Sequence, residues 1–114
     1  MDTMILKPTS EADVPFLLDL RGRALVPYEV AAGMQRSEEE HKARIRAHLE
    51  SGQLVVLENT PIGIIKVVKS DSTWKLLQLQ IIPEQQGNGI ATTLVTNLLR
   101  EARCASIPVV LTVL

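Results

Sequence analysis

Four things are scarce in this chain of 114 residues, and each scarcity closes off a class of explanation. There is one cysteine, Cys104, so no internal disulfide braces the fold, as fits a chain kept in a reducing compartment. No apolar run approaches the roughly 20 residues that cross a bilayer, and the opening Met-Asp-Thr-Met turns amphipathic at once, without the pattern of a secretory signal. Excess charge of either sign is missing too. Twelve Lys plus Arg stand against 13 Asp plus Glu, a net of −1, which argues against bulk nucleic-acid binding and against a polybasic membrane surface. Repeats, low-complexity tracts and linkers are absent, and the length suits one domain over 1–114. What is present, 46% hydrophobic and 22% charged residues, suffices to bury a core. The expectation is a soluble cytoplasmic α/β domain.

Taken in order, Met4 to Lys7 reads as a first strand stopped by Pro8. Ser10-Glu11-Ala12-Asp13 carries a capping pattern, and Val14, Leu17, Leu18, Leu20, Ala24 and Leu25 share one broad helical face. That helix is expected to stop near Val26-Pro27, followed by a loop over Tyr28–Arg36. Ser37-Glu38-Glu39-Glu40 opens a second helix to about Glu50, with a thin apolar stripe that places it over the domain. From Gly52 the period changes. Leu54–Leu57, Ile62–Lys69 and Trp74–Ile82 read as an antiparallel meander of strands, turning at Asn59-Thr60-Pro61 and Asp71-Ser72-Thr73. A polar, glycine-bearing segment, Glu84–Gly89, leads into the clearest helix, Ile90–Ala105, and Val109–Leu114 reads as a last strand. Strand, loop, helix and strand form a crossover, so the last strand is expected to lie parallel to Trp74–Ile82.

One segment carries chemistry: a strand runs through Leu79-Gln80-Ile81-Ile82-Pro83 into Glu84-Gln85-Gln86-Gly87-Asn88-Gly89 and so into the helix at Ile90-Ala91. Backbone N–H groups at such a helix start form an anion site strengthened by the helix dipole. Glycines there let an oxygen-rich ligand approach the backbone. A Walker loop is excluded, since no Gly-Lys-Ser/Thr follows. A dinucleotide fingerprint counted from Gly87 would end on Thr92, after an antiparallel meander rather than a βαβ opening. A Gly-x-Gly ahead of a helix is also what a plain tight turn requires, and the flanking order decides between the two readings.

Gln86-Gly87-Asn88-Gly89-Ile90-Ala91 follows the pattern Gln/Arg-x-x-Gly-x-Gly/Ala, with Ile81-Ile82-Pro83 ahead of it. With its flanks it resembles the acetyl-CoA site of the GNAT superfamily of N-acetyltransferases, and the element order is similar along essentially the whole chain. The resemblance implies a mixed α/β (α+β) sheet, an antiparallel meander followed by a β-loop-α-β crossover. It implies that loop N–H groups from Gly87 through Asn88, Gly89, Ile90 and Ala91 hold the CoA pyrophosphate while Gln86 braces the turn. Leu79, Gln80, Ile81 and Ile82 would then pair with the pantetheine arm, and an N–H near Leu79 or Ile81 would stabilise the oxyanion developing on the thioester carbonyl. Acetyl-CoA is thus the implied co-substrate, with no metal.

The resemblance further implies a helix and two strands beyond the last strand read here, carrying an asparagine near the cofactor arm and a tyrosine that protonates the leaving thiolate. The sequence stops at Leu114. A thiol of pKa about 8.5 leaves without obligatory help, but Val109 to Val113 becomes an apolar edge open to pairing. A shortened natural form, a truncated product and a homodimer covering that edge are all compatible. The implied reaction is acetyl transfer to a primary amine, with a small amine, an amino acid or a peptide N-terminus as acceptor. A catalytically weak or inactive CoA-binding or interaction module is the alternative. Tyr28 and Glu29, between the first two helices, are the catalytic candidates, since an alkylamine near pKa 10 must lose a proton. Gln78 and Gln80 can orient a ligand but cannot accept a proton. Elsewhere, Arg21, in the middle of its apolar face, either snorkels or meets a buried acid, with snorkelling the expectation, and His41 and His48 are expected to lie on a solvated helix without a metal. Cys104 is expected to be a quiet thiol and Trp74 a packing anchor.

Overall fold

The β-branched stretches in the middle of the chain pair into consecutive hairpins, and the helices are arranged around them. The computed structural model describes residues 3–111. Strands β1 (Met4–Pro8), β2 (Gly52–Leu57), β3 (Thr60–Lys69), β4 (Trp74–Ile81) and β5 (Val109–Leu111) form one sheet in the order β1-β2-β3-β4-β5. The first three pairings are antiparallel and β4–β5 is parallel, as the crossover requires. The β2–β3 hairpin turns on Glu58 and Asn59, both left-handed at φ 49° and 67°, the conformation a two-residue turn needs to match strand twist.

Helices α1 (Val14–Ala24), α2 (Val26–Ala31), α3 (Glu38–Arg46) and α4 (Ile90–Cys104) complete the described fold. On one face of the sheet, Val14, Leu17 and Leu20 of α1 and Ile45 of α3 pack on Leu54, Val56 and Ile64. On the other, Leu94 and Leu98 of α4 pack on Val55, Ile62, Ile65, Leu76 and Ile81. The sheet is therefore covered on both sides. At the start of α3, Ser37 Oγ accepts the Glu40 N–H at 3.2 Å and Glu40 Oε1 accepts the Ser37 N–H at 3.3 Å, a reciprocal cap.

Several boundaries depart from the sequence expectation. Tyr28 to Ala31 is helical rather than loop, because Pro27 falls in the first turn of α2, where a missing N–H costs nothing. Helix α3 ends at Arg46, short of Glu50, with His48 left-handed at φ 56°. His41 is buried rather than solvated, and Arg21 does not snorkel: only 6% of it is exposed. Of the last strand, Val109–Leu111 is described and 112–114 lies outside the described residues. Trp74 packs into the α4-side core, with the Lys69 ammonium 4.4 Å from its ring centroid.

The consequential departure is in β4. Plain alternation puts Leu76, Gln78 and Gln80 on one face. In the sheet, however, Lys66 pairs with Gln78 and the next residue, Val67, pairs with Leu76, leaving Leu77 as an extra residue. Such a bulge reverses the alternation beyond it. Leu76, Leu79 and Ile81 consequently share the α4 side, and Gln78 and Gln80 are turned to the α1–α3 side. Gly63, opposite Ile81, holds β3 tight against this part of β4. A Cβ there would lie 2.3 Å from the Gln80 carbonyl oxygen and 2.7 Å from Ile81 Cδ1. Gly63→Ala is expected to destabilise the fold by about 1–3 kcal/mol through this overpacking, measured by denaturant unfolding. An unchanged midpoint would show that β3 and β4 are free to separate at Gly63.

Candidate active site

Beyond Ile81 the chain makes a short 3-10 turn over Pro83–Gln85 and enters α4 through two left-handed glycines, Gly87 at φ 84° and Gly89 at φ 76°. Both values lie where a Cβ is strained. The Gln86 side chain reaches back, its Nε2 donating to the Ile81 carbonyl at 3.0 Å, and so ties the loop to the end of β4. Asn88 Nδ2 donates to Gln85 Oε1 at 3.2 Å. The N–H groups of Ile90, Ala91 and Thr92, in the first turn of α4, have no acceptor within the helix.

Helices α3 and α4 are treated differently at their starts. Three carboxylates, Glu38, Glu39 and Glu40, occupy the first turn of α3, whereas α4 has none. The positive end of the α4 dipole is left without a built-in counter-charge. A groove of about 420 Å³ runs past this helix start, with Leu79–Ile81, Gln86, Gly87 and Gly89–Ala91 among its walls. At Gly87 and Gly89 a Cβ would meet no protein atom within 4 Å, so the glycines face open space. Of the residues expected at a cofactor site, Ile82 and Asn88 stand apart from this groove. Ile82 packs against both core clusters instead.

A second cavity, of about 350 Å³, opens between β3–β4 and the helices α1–α3. It shares Leu79 and Gln80 with the groove, so the two spaces meet at the same stretch of β4. Its walls are charged. Glu29 is 8% exposed, forms an ion pair with Arg36 through Oε2, and leaves Oε1 buried with no hydrogen-bond partner. Arg21 Nε donates to His41 Nδ1 at 3.2 Å. Burial holds the Arg21 guanidinium below its ordinary pKa; Glu29 opposes that shift, and Arg44 and Arg36 reinforce it. Gln78 Nε2 donates to Gln80 Oε1 at 2.8 Å, orienting both amides.

Lys66, 3% exposed, lines the same cavity. Its Nζ donates to the carbonyls of Ile45 and Ala47 at 2.8 Å and of Arg44 at 3.3 Å. These are the orphan acceptors at the end of α3. Burial, with the Arg21 charge adding to it, brings the Lys66 amine from 10.5 down to about 8 against the opposing pull of Glu50.

Of the two catalytic candidates, the structure brings Glu29 into the cavity, while Tyr28 is 74% exposed and lines neither space. Arg21, Arg36 and Lys66 were not anticipated there. A signal existed for two of them: Lys66 interrupts the apolar run Ile62–Val68, and Arg21 sits within an apolar helical face. Among the described residues no cluster of His, Cys, Asp and Glu could hold a metal ion, and no helix is long and apolar enough to cross a membrane.

Comparison with known proteins places this geometry. A family model described as the acetyltransferase (GNAT) family matches residues 17–114. An aminoglycoside N-acetyltransferase solved in complex with CoA superposes with a TM-score of 0.66 at 12% identity, over 100% of this chain and 79% of that one. An acetyltransferase from Thermus thermophilus gives 0.66 at 20% identity, over 86% and 68% respectively. N-acetylglutamate synthase from Neisseria gonorrhoeae, complexed with coenzyme A and N-acetyl-glutamate, gives 0.62 at 17% identity. This chain is covered to 92% in that match but spans only 24% of the synthase. At these identities the structural likenesses carry the fold. No curated protein sequence matches the chain.

Lys66→Met would leave three carbonyls at the end of α3 without a donor and is expected to cost about 3 kcal/mol. Because the folded amine titrates near 8 and the unfolded one at 10.5, the folded protein releases this proton first as pH rises. The stability arising from that difference is fully present above 10.5 and lost as pH falls through 8. The melting-temperature gap between wild type and Lys66→Met should therefore widen from pH 8 to 10.5. A gap that narrows over that range would contradict the lowered pKa.

Proposed function

The chain belongs to the GNAT acetyltransferase family, and from that membership we propose that it is an acetyl-CoA-dependent N-acetyltransferase passing the acetyl group directly to a primary amine in a ternary complex. The observation that carries the reading is the meeting of two open spaces at Leu79 and Gln80. One has the character of a diphosphate and pantetheine site, and the other that of an acceptor site. Donor and acceptor entering from opposite sides would be brought together at the backbone of β4, where proximity alone lowers the barrier substantially.

Acetyl-CoA would supply a thioester-activated acetyl group. The remaining roles fall to this chain's own residues. The N–H groups of Ile90, Ala91 and Thr92, with no carboxylate in the same helical turn to compete, would hold the diphosphate. Gln86, through its bond to the Ile81 carbonyl, would fix the loop relative to the strand. The acceptor arrives as an ammonium at neutral pH and must lose a proton before it is nucleophilic. Glu29 Oε1, buried and without a partner, is the group best placed to take that proton, with Arg36 holding the carboxylate in orientation through Oε2.

Gly89→Glu tests the donor site. Its Cβ meets nothing and the left-handed backbone costs about 1–3 kcal/mol, while the new carboxylate faces the diphosphate. CoA affinity by isothermal titration should fall at least about tenfold with a cooperative melt retained; unchanged affinity would remove the donor site from this loop. Glu29→Gln tests the proton acceptor. Thiol release from acetyl-CoA in the presence of amines should drop by about 10²-fold or more, with CoA affinity preserved. Full activity in that variant would reassign the base.

A further inference from the structure

The acceptor cavity is electrostatically one-sided. Arg21, Arg36, Arg44 and Lys66 all line it, and among the described residues Glu29 is the one carboxylate that does, in a chain whose total charge is −1. A primary amine that arrives as a simple cation, or as a polyamine, would enter against this field. From this distribution we infer that the acceptor is a small amino acid, an amine that also carries a carboxylate, and that the Arg21 guanidinium is the group that binds that carboxylate. The inference rests on the acetyl-transfer reading above for the fate of the amine and on the cavity alone for the anion.

Donor supply singles out Arg21. The three protons of Lys66 are directed to three backbone carbonyls, and Arg36 is directed to Glu29. Lys66 therefore contributes field rather than a hydrogen bond. Arg21 is 94% buried, from its 6% exposure. Its Nε–H goes to His41, and its two terminal nitrogens make no hydrogen bond to a described residue. A guanidinium has five N–H donors in a planar fork that matches a carboxylate edge to edge. Unlike Glu29 Oε1, these terminal nitrogens are not sealed from solvent, so the fork is open to a carboxylate entering the cavity.

Opposite in sign, and lining the same cavity, Glu29 Oε1 lacks a donor. A buried cationic fork and a buried free carboxylate oxygen in one space of about 350 Å³ form a complementary pair for a zwitterion. The carboxylate would go to Arg21 and the ammonium to Glu29. The pair supplies selectivity of a kind that a site built from apolar contacts cannot, because an analogue lacking either charge leaves one of these groups unpaired.

The test uses the intact protein and matched acceptors: short amino acids, their carboxamides, diamines of equal length, and the corresponding aminoalkylphosphonates. Thiol release from acetyl-CoA is followed in each case. The free acids should exceed the carboxamides and diamines in kcat/KM by at least about tenfold. In Arg21→Gln the acid-to-amide ratio should collapse to near one, and in Arg44→Gln, an exposed residue of α3, it should fall about two- to fivefold through the weakened field. A second readout needs no turnover. With CoA saturating, an N-acetyl amino acid should raise the melting temperature and its N-acetyl carboxamide should not. Equal turnover of acids, amides and diamines would overturn the inference and leave acetyl transfer standing. Thiol release absent with every amine, but carboxylate-dependent stabilisation retained, would overturn acetyl transfer and uphold the anion site. A phosphonate preferred tenfold over the acid, or loss of carboxylate stabilisation when CoA is added, would overturn the carboxylate assignment.

Discussion

Leu77 is one residue more than β3 can pair with, and the working half of the molecule depends on where that surplus falls. A β-strand presents successive side chains to opposite faces, so an unpaired residue exchanges the faces for everything after it. Before the bulge, Leu76 serves the α4-side core; after it, Leu79 and Ile81 serve the same core while Gln78 and Gln80 enter the cavity under α1–α3. Without the bulge, two amides would be driven into the apolar layer beneath α4 and two large aliphatic side chains into the charged cavity. Both moves are unfavourable by kilocalories rather than tenths, so the register is held from both sides. Gly63 adds the close backbone approach that keeps β3 seated against the displaced segment.

The second constraint is the cost of burying Arg21, Glu29 and Lys66 within so small a domain. Each is less than a tenth exposed, and isolated charges at such depth are not tolerated. The structure resolves the three unequally. Lys66 is satisfied entirely by the end of α3, and in return fixes that helix against β3. Glu29 is half satisfied through Arg36, and Arg21 is satisfied only at Nε. Structural polar groups are usually paired completely. All three line one cavity, so the incomplete pairing is concentrated there.

Much of this was legible in the residues. The two capping patterns, the β-branched meander, the half-apolar wheel of Ile90–Cys104 and the parallel return of β5 follow from periodicity and turn chemistry, and the Gly87–Gly89 segment marked the turn into α4. What escaped has common physical causes. A bulge leaves no mark on a strand whose residues are apolar on both faces, as most of Trp74–Leu77 are, so the facing of Gln78 and Gln80 could not be read. Pro27 carries the same letter whether it ends one helix or begins the next, and only the packing of α2 against α1 decides between them. Arg21 read alone belongs at a surface, because its burial depends on His41, 20 residues on, and on Glu29 in the next helix, which α2 and α3 bring near.

The two helix starts show how the chain divides one physical resource. A free helix N-terminus is an unmet demand for negative charge. At α3 the demand is met internally, by a serine cap and three glutamates in succession, and the helix is thereby committed to structure. At α4 the cap is a left-handed glycine, the first turn carries no acid, and isoleucine, alanine and threonines follow. A helix of 15 residues with a strongly apolar stripe is secured by the burial of Leu94, Leu98 and Ala102 and can forgo its cap. A nine-residue helix with a thin stripe cannot, and it needs both Ser37 at its start and Lys66 at its end. Of the two helix starts, the unsatisfied one thus belongs to the element with stability to spare, and it sits beside the open groove.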